Sequence, residues 1–288
     1  MKNLKLAAVC LSCLTMTGCS ALNFSVEGLI NAPKLTSEQS EIHQALIESV
    51  GSNITLKYPK NGEYRSAYVI ANIDDEPADE AMVFYEYTSN GSEEDGLRVN
   101  ILDKDEDGKW YSVKELAGAG TDIDQVIISP MGSNNQTDVF VGYQNLTNDE
   151  KTMEIYSYTD GDFKRVALDT YSVLEPLDIN NDGYIELITI QRSTNNDTGA
   201  VTAKASMLNM KNDEITRGEN VDMCDNVTSY VSSKTGMLDS GRRAIFIDGL
   251  TADGKLQTEI IYYRYSGLQN PMQLRSEKLL PLCTRPAG

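Results

Sequence analysis

Beyond residue 53 the chain is a succession of short apolar runs, some alternating and some continuous, separated by Gly, Asp and Asn turns. That pattern predicts strands rather than helices. Only one stretch follows a helical period. Ile42, Leu46 and Val50 fall on one face of a segment opened by Thr36-Ser37-Glu38 and closed by Gly51. Ser37 is the candidate N-cap, and Glu38 and Glu41 suit the positive end of a helix. His43, the sole histidine, lies in this segment and reads as a packing or surface side chain.

The strands recur in a fixed order. A polar loop ends at Glu80, Asp138, Glu186 or Arg243, and an apolar strand follows each: Ala81–Tyr85, Val139–Tyr143, Leu187–Ile190 and Ala244–Ile247. One strand precedes each of these and two follow, across turns such as Glu106-Asp107-Gly108-Lys109 and Thr159-Asp160-Gly161-Asp162. The four anchors lie about 50 residues apart, the period of propeller blades. A single sheet of this length leaves two apolar faces bare, so neighbouring sheets must cover them.

The expected fold class is therefore mainly β: a propeller-like array of about four four-stranded antiparallel blades, preceded by one short N-terminal helix. Units are expected near 60–118, 119–168, 169–223 and 224–280, within a repeat domain spanning 53–288. A pair of β-sandwich domains is the competing arrangement. Four blades rarely close a ring, which leaves a small or open propeller, or a shortened chain. Asn53–Tyr58 is available as an extra strand for the first or last blade.

Asp178-Ile179-Asn180-Asn181-Asp182-Gly183-Tyr184-Ile185-Glu186 is the sharpest motif. It sets oxygen side chains at alternate positions and a glycine where a tight turn needs one. Asp178, Asn180, Asp182 and Glu186, with the Tyr184 carbonyl, supply the all-oxygen donor set that a hard cation such as Ca²⁺ takes. Gathered without a cation, three carboxylates repel one another. The competing reading is an Asx-rich turn held by its own side-chain to backbone bonds.

This loop, followed by Leu187-Ile188-Thr189-Ile190, resembles the FG-GAP/VCBS repeats of integrin α-like propellers. The resemblance implies a loop joining the first two strands of a blade, with calcium as a structural clamp. The motif is complete once. In the first unit Asn72, Asp74, Glu76 and Glu80 align, but Pro77 replaces the glycine and makes calcium doubtful. In the second, Pro130, Gly132 and Asn134 stand where ligands belong, and in the fourth Arg243 takes the acidic place. Those two units are expected to be metal-free. The run Asp103, Asp105, Asp107, Gly108 opens like an EF-hand but has Lys114 where the bidentate glutamate belongs, so a hairpin turn explains it.

The start of the chain carries an address. Lys2 and Lys5 precede the apolar stretch Leu6–Thr17, too short for a membrane span of ~20 residues. It ends in Met16-Thr17-Gly18-Cys19. Small residues before a cysteine resemble the lipobox of bacterial lipoproteins, although Met16 stands where leucine is usual. The resemblance implies a signal peptide over 1–18 and a diacylglycerol on Cys19; the residues that follow read as a tether over 19–35 and a helical segment over 36–52. The protein is then lipid-anchored to the cell membrane and extracytoplasmic, at the bacterial cell surface or facing the periplasm. An ordinary secretory signal is the alternative. Of the later cysteines, Cys224 and Cys283 are a possible disulfide or two free thiols.

Composition narrows function by exclusion. With 40% hydrophobic residues the chain is not a disordered segment. Forty-three acidic residues against 25 basic ones give a net charge of −18, which repels nucleic-acid backbones. One histidine leaves little for a Ser-His-Asp or Cys-His arrangement. No phosphate-cradling glycine motif is present. The expectation is a non-catalytic surface lipoprotein whose calcium-stabilised domain binds a protein, peptide or glycan. The alternative is an exported carboxylate-based glycan hydrolase or lyase.

Overall fold

A computed structural model describes residues 35–88, 96–130, 137–145, 148–195, 197–211, 214–225, 227–265 and 267–271. Cys19 and Cys283 lie outside these residues, as do the segments expected to be a signal peptide and, except for Leu35, a tether. Helix α1 (Ser37–Val50) comes first. Its cap is Thr36 rather than Ser37. Thr36 Oγ1 accepts the Gln39 N–H at 3.1 Å, and Gln39 Oε1 accepts the Thr36 N–H at 3.1 Å. This reciprocal capping box needs Gln three places after the cap, which Thr36 has and Ser37 lacks. Gly51, at φ 85°, ends the helix.

Seventeen strands follow among the described residues, in four antiparallel sheets. The first holds β1 (Ile54–Leu56), β2 (Tyr68–Ala71), β3 (Glu80–Tyr87), β4 (Leu97–Lys104) and β5 (Trp110–Ala117). The second holds β6 (Asp122–Pro130), β7 (Thr137–Asn145), β8 (Asn148–Thr159) and β9 (Asp162–Tyr171). The third holds β10 (Val173–Leu177), β11 (Glu186–Thr194), β12 (Val201–Lys211) and β13 (Glu214–Asp222). The fourth holds β14 (Val227–Met237), β15 (Arg243–Thr251), β16 (Leu256–Arg264) and β17 (Gly267–Gln269). In the last three sheets the strands pair in sequence order, as in propeller blades.

The first sheet departs from that order in one respect. β1 pairs with β3 from Ile54↔Tyr87 to Leu56↔Tyr85, and β2 pairs with the same strand from Tyr68↔Val83 to Ala71↔Glu80. The two short strands share one edge of β3, so the Asn53–Tyr58 stretch becomes half of an interrupted first strand. The chain between them runs alongside β6. Lys60 N–H donates to Ile123 O and Asn61 N–H to Asp124 O, at 3.1 and 2.7 Å.

Strand periodicity explains how the sheets stack. Along β7, Val139, Val141 and Tyr143 join a cluster with Met82, Phe84 and Val99 of the first sheet. Phe140, between them, points the other way and packs with Leu174, Leu187 and Leu208 of the third. Along β11, Ile188 and Ile190 meet Ile245, Ile247 and Ile261 of the fourth sheet, and Leu187 faces the second. Successive side chains leave a strand on opposite faces, so a strand buried on both sides needs a continuous apolar run. The outer face of the first sheet is covered by α1, with Ile42, Ala45 and Leu46 against Tyr68, Val83 and Trp110. No hydrophobic cluster of described residues joins the fourth sheet to the first, and the array is not closed. No described helix is long and apolar enough to cross a membrane.

Candidate functional site

The loop between β10 and β11 brings together four of the five sequence-predicted ligands through their side chains. Asp178 Oδ1 accepts the Asp182 N–H at 3.1 Å, and Asn180 Oδ1 accepts it at 2.9 Å. Asp182 Oδ1 accepts the Tyr184 N–H at 2.9 Å. Glu186, on the first residue of β11 and 5% exposed, reaches back so that Oε2 accepts the Ile179 N–H at 3.0 Å. Asn181 and Gly183 take φ values of 70° and 96°, which bend the backbone around these side chains. The side chain of Tyr184 points partly to solvent, at 39% exposure, so this residue joins the loop through its backbone.

The Asn180 amide stands where the negative charge is concentrated. Its Nδ2 donates to Asp182 Oδ2 at 2.8 Å and to Glu186 Oε1 at 2.9 Å. Burial, with Asp182 and Asp178 nearby, pushes the Glu186 carboxyl up to about 7. A positively charged group approaches from the fourth sheet. Arg243 Nη1 lies 2.9 Å from Asp178 Oδ2 and donates to the Asp178 carbonyl oxygen at 2.9 Å. With protein donors on these oxygens, no three His, Cys, Asp or Glu side chains among the described residues form a metal-holding group. The donor chemistry still fits a hard cation. Every ligand atom is oxygen, and the Asn180 amide, reversed about its own axis, would present oxygen in place of NH₂.

The first sheet carries a weaker copy of this loop. Glu80 Oε2 accepts the Ile73 N–H at 2.8 Å, and Asp74 Oδ1 accepts the Glu76 N–H at 2.8 Å, the same offsets as in the third. Burial, together with Asp74 and Asp103, pushes Glu80 up to about 7. In the second sheet Asp138 accepts the Ser157 hydroxyl, and Gly132 and Asn134 lie outside the described residues. The Asp103–Gly108 run is a hairpin turn between β4 and β5. Asp105 Oδ1 accepts the N–H groups of Asp107 and Lys109 at 3.0 and 2.8 Å.

A cavity of about 690 Å³ lies where first strands meet. Its walls are residues 61–64, the β6 stretch 124–129, residues 172–176 around β10, and 230–233 of β14, with Lys151 and Ile185. Asp124 anchors one wall at 1% exposure. Its Oδ1 receives Lys151 Nζ at 2.9 Å and Asn61 Nδ2 at 2.8 Å, and its Oδ2 receives the Tyr171 hydroxyl at 2.6 Å. Burial alone would raise this carboxyl, but Lys151, Tyr171 and Asn61 outweigh it and hold Asp124 below the usual aspartate range. On the opposite wall, burial raises the Glu175 carboxyl, against a hydrogen bond from Ser233. Sequence reasoning missed this cavity because it draws on four segments far apart in the chain. The available signal was polar side chains at β10, with Glu175 on an otherwise apolar strand and Ser172 just before it.

Cys224 forms no disulfide among the described residues, and burial beside Glu259 pushes its thiol up to about 12. His43 packs in α1, its Nδ1 2.8 Å from the Tyr68 hydroxyl.

No family model and no curated protein matches the chain. Among solved structures, one titled "Glycoside hydrolase" is similar over 82% of this chain and 82% of its own, at 10% identity and a TM-score of 0.33. A likeness at that score carries no argument about activity.

Proposed function

We propose that this protein is a lipid-anchored, extracytoplasmic binding module that receives its ligand in the cavity bordered by β6, β10 and β14. The observation that carries the reading is the cavity itself. Its volume falls in the range of small-molecule and side-chain pockets, and charged and hydroxyl groups alternate with apolar side chains along its walls. The lipobox-like Met16–Cys19 segment supports the anchor on Cys19, and with it a position outside the cytoplasm. FG-GAP/VCBS-like character rests on the blade order and the Asp178–Glu186 loop. In that reading Asp178, Asn180, Asp182, Glu186 and the Tyr184 carbonyl hold one Ca²⁺, which stiffens the turn joining β10 to β11 beside the cavity wall. Its ligand is a protein segment, peptide or glycan.

The rival, a carboxylate-based glycan hydrolase or lyase, has weaker support. Glu175 and Asp124 differ in protonation tendency, as an acid and a base should. Yet both Asp124 oxygens are engaged by Lys151, Asn61 and Tyr171, which leaves it a structural anchor rather than a nucleophile.

Thermal-shift screening of the purified protein against peptides, glycans and small ions tests the reading, with Val231→Trp as a variant whose cavity wall is filled. Ligands that stabilise the natural chain and not the variant support it. An identical response of the two proteins to every compound refutes the cavity as the binding site. Calorimetric titration with Ca²⁺ tests the clamp separately, with Asp182→Ala as the control.

A further inference from the structure

Four charged side chains line the cavity: Glu63, Asp124, Lys151 and Glu175. Lys151, the one cation among them, is already committed. Its ammonium lies 2.9 Å from Asp124 Oδ1 and 5.6 Å from the centre of the Tyr171 ring. Asp124 is closed in turn by Tyr171, Asn61 and a longer contact to Gln144 Nε2 at 3.3 Å. Glu175 is different. The Ser233 hydroxyl donates to it, and nothing basic stands close enough to offset its burial. Opposite it across the sheet is Ile188, and Lys234, next to Ser233, acts on Asp248 instead. A carboxylate set into a wall without a counter-charge is costly for the empty protein.

The rest of the polar lining is uncharged, with Asn61, Gln125, Ser129, Ser232 and Ser233 beside Glu63 and Glu175. An anionic ligand would meet Glu63 and Glu175. A neutral polyol would leave Glu175 uncompensated. A ligand N–H cation supplies the missing charge, and a net charge of −18 draws cations toward the protein.

We propose that the cavity holds its ligand by a cationic nitrogen group, an organic ammonium or guanidinium, seated against Glu175. This rests on the binding-module reading and names the ligand's chemistry. An amine-bearing small molecule and a basic peptide side chain share that group. In either case the ligand supplies the counter-charge that the wall lacks.

Three compounds with the same five-carbon skeleton separate the possibilities: cadaverine (a diamine), pentanediol and glutarate. Calorimetry on the purified full-length protein is expected to show binding of cadaverine alone. Glu175→Gln should weaken it by at least about tenfold while leaving the thermal midpoint unchanged or higher. Val231→Trp should weaken it as well. Cadaverine affinity should rise with pH as Glu175 ionises, above the ordinary range of a glutamate. Binding of a lysine-containing tripeptide that outcompetes cadaverine would assign the group to a peptide. Equal or stronger binding of glutarate or pentanediol overturns the inference, as does cadaverine binding that ignores Glu175→Gln. A neutral oligosaccharide that binds the natural chain and not Val231→Trp, without any amine binding, overturns the cation and keeps the cavity. If no compound distinguishes the natural chain from Val231→Trp, both fail.

Discussion

Arg243 of the fourth sheet holds Asp178 of the third, through the carboxylate and the carbonyl oxygen of the same residue, each at 2.9 Å. Arg243 stands at the position that Glu80, Asp138 and Glu186 occupy in the other sheets. The unit without an acidic side chain at this position thus lends positive charge to the loop that carries the full set. Local loop geometry and packing between sheets are coupled through this pair.

Arg243→Ala should therefore act in two directions. In metal-free protein it removes two charge-assisted hydrogen bonds from a loop whose Asp178 side chain is 13% exposed. Arg243 itself is 41% exposed, so the loss is about 1 kcal/mol, or ~2–4 °C in the thermal midpoint. On the proposal that the loop binds Ca²⁺, the same change removes a competing positive charge and should tighten calcium several-fold. Calorimetric titration of the two proteins measures both effects. Weaker calcium binding in the variant would count against coordination by Asp178.

How much of this was legible in the sequence depends on distance along the chain. The four sheets were legible, because each central strand is buried on two faces and reads as an unbroken apolar run, as in Ala81–Tyr85 and Leu187–Ile190. The convergence of Asp178, Asn180, Asp182 and Glu186 was legible too, since loop spacing alone sets it. The helix cap was misplaced by one residue, because Ser37 and Thr36 are both good caps and only the Gln39 side chain decides between them. The Arg243–Asp178 pair and the cavity were not legible. Both join segments from different sheets, and their approach depends on stacking that no local pattern encodes.

Glu80 should make the metal-free protein less stable as pH rises. Burial and the nearby Asp74 and Asp103 push its carboxyl up to about 7, against an unfolded value near 4.5. Between those values the folded chain keeps a proton that the unfolded chain has lost. Its contribution is therefore complete below about 4.5 and is lost progressively as pH climbs to about 7. Denaturation midpoints recorded from acid to neutral pH should fall over that window. Glu80→Gln should flatten the fall and raise stability at pH 8, because an amide carries no charge to bury. A steeper fall in the variant would assign the dependence to another group.

Asp124 has the opposite sign. Its carboxyl is held below the usual range, so its stabilisation is present at neutral pH and is lost as acid protonates it, below about 4. Asp124→Ala leaves Lys151, 25% exposed, without its partner and the Tyr171 hydroxyl without its acceptor. A loss of about 3 kcal/mol is expected in urea denaturation. Asp124→Asn keeps an acceptor for Tyr171 and should cost less. A near-zero effect of Asp124→Ala would mean that Lys151 finds water readily and that this wall of the cavity is looser than its hydrogen bonds imply.

Gly142 shows how closely that wall is packed. It lies on β7 in an ordinary extended conformation, so its backbone would accept alanine. Space forbids it: a Cβ there would overlap the Tyr171 hydroxyl, with the ring carbon bearing that hydroxyl 3.2 Å away. Gly142→Ala must push Tyr171 off Asp124 or shift the strand, at a cost of about 1–3 kcal/mol. Tyr171→Phe alone should also destabilise, by about 1–3 kcal/mol, because Asp124 Oδ2 loses its buried donor. The two changes should not add. Once the hydroxyl is gone the severe overlap goes with it and the ring carbon at 3.2 Å has only to give slightly, so the double variant should be more stable than the sum of the singles by about 1 kcal/mol. Urea denaturation of the four proteins closes this cycle. Strict additivity would show that the methyl group is accommodated by movement of β7, leaving the Tyr171–Asp124 hydrogen bond in place.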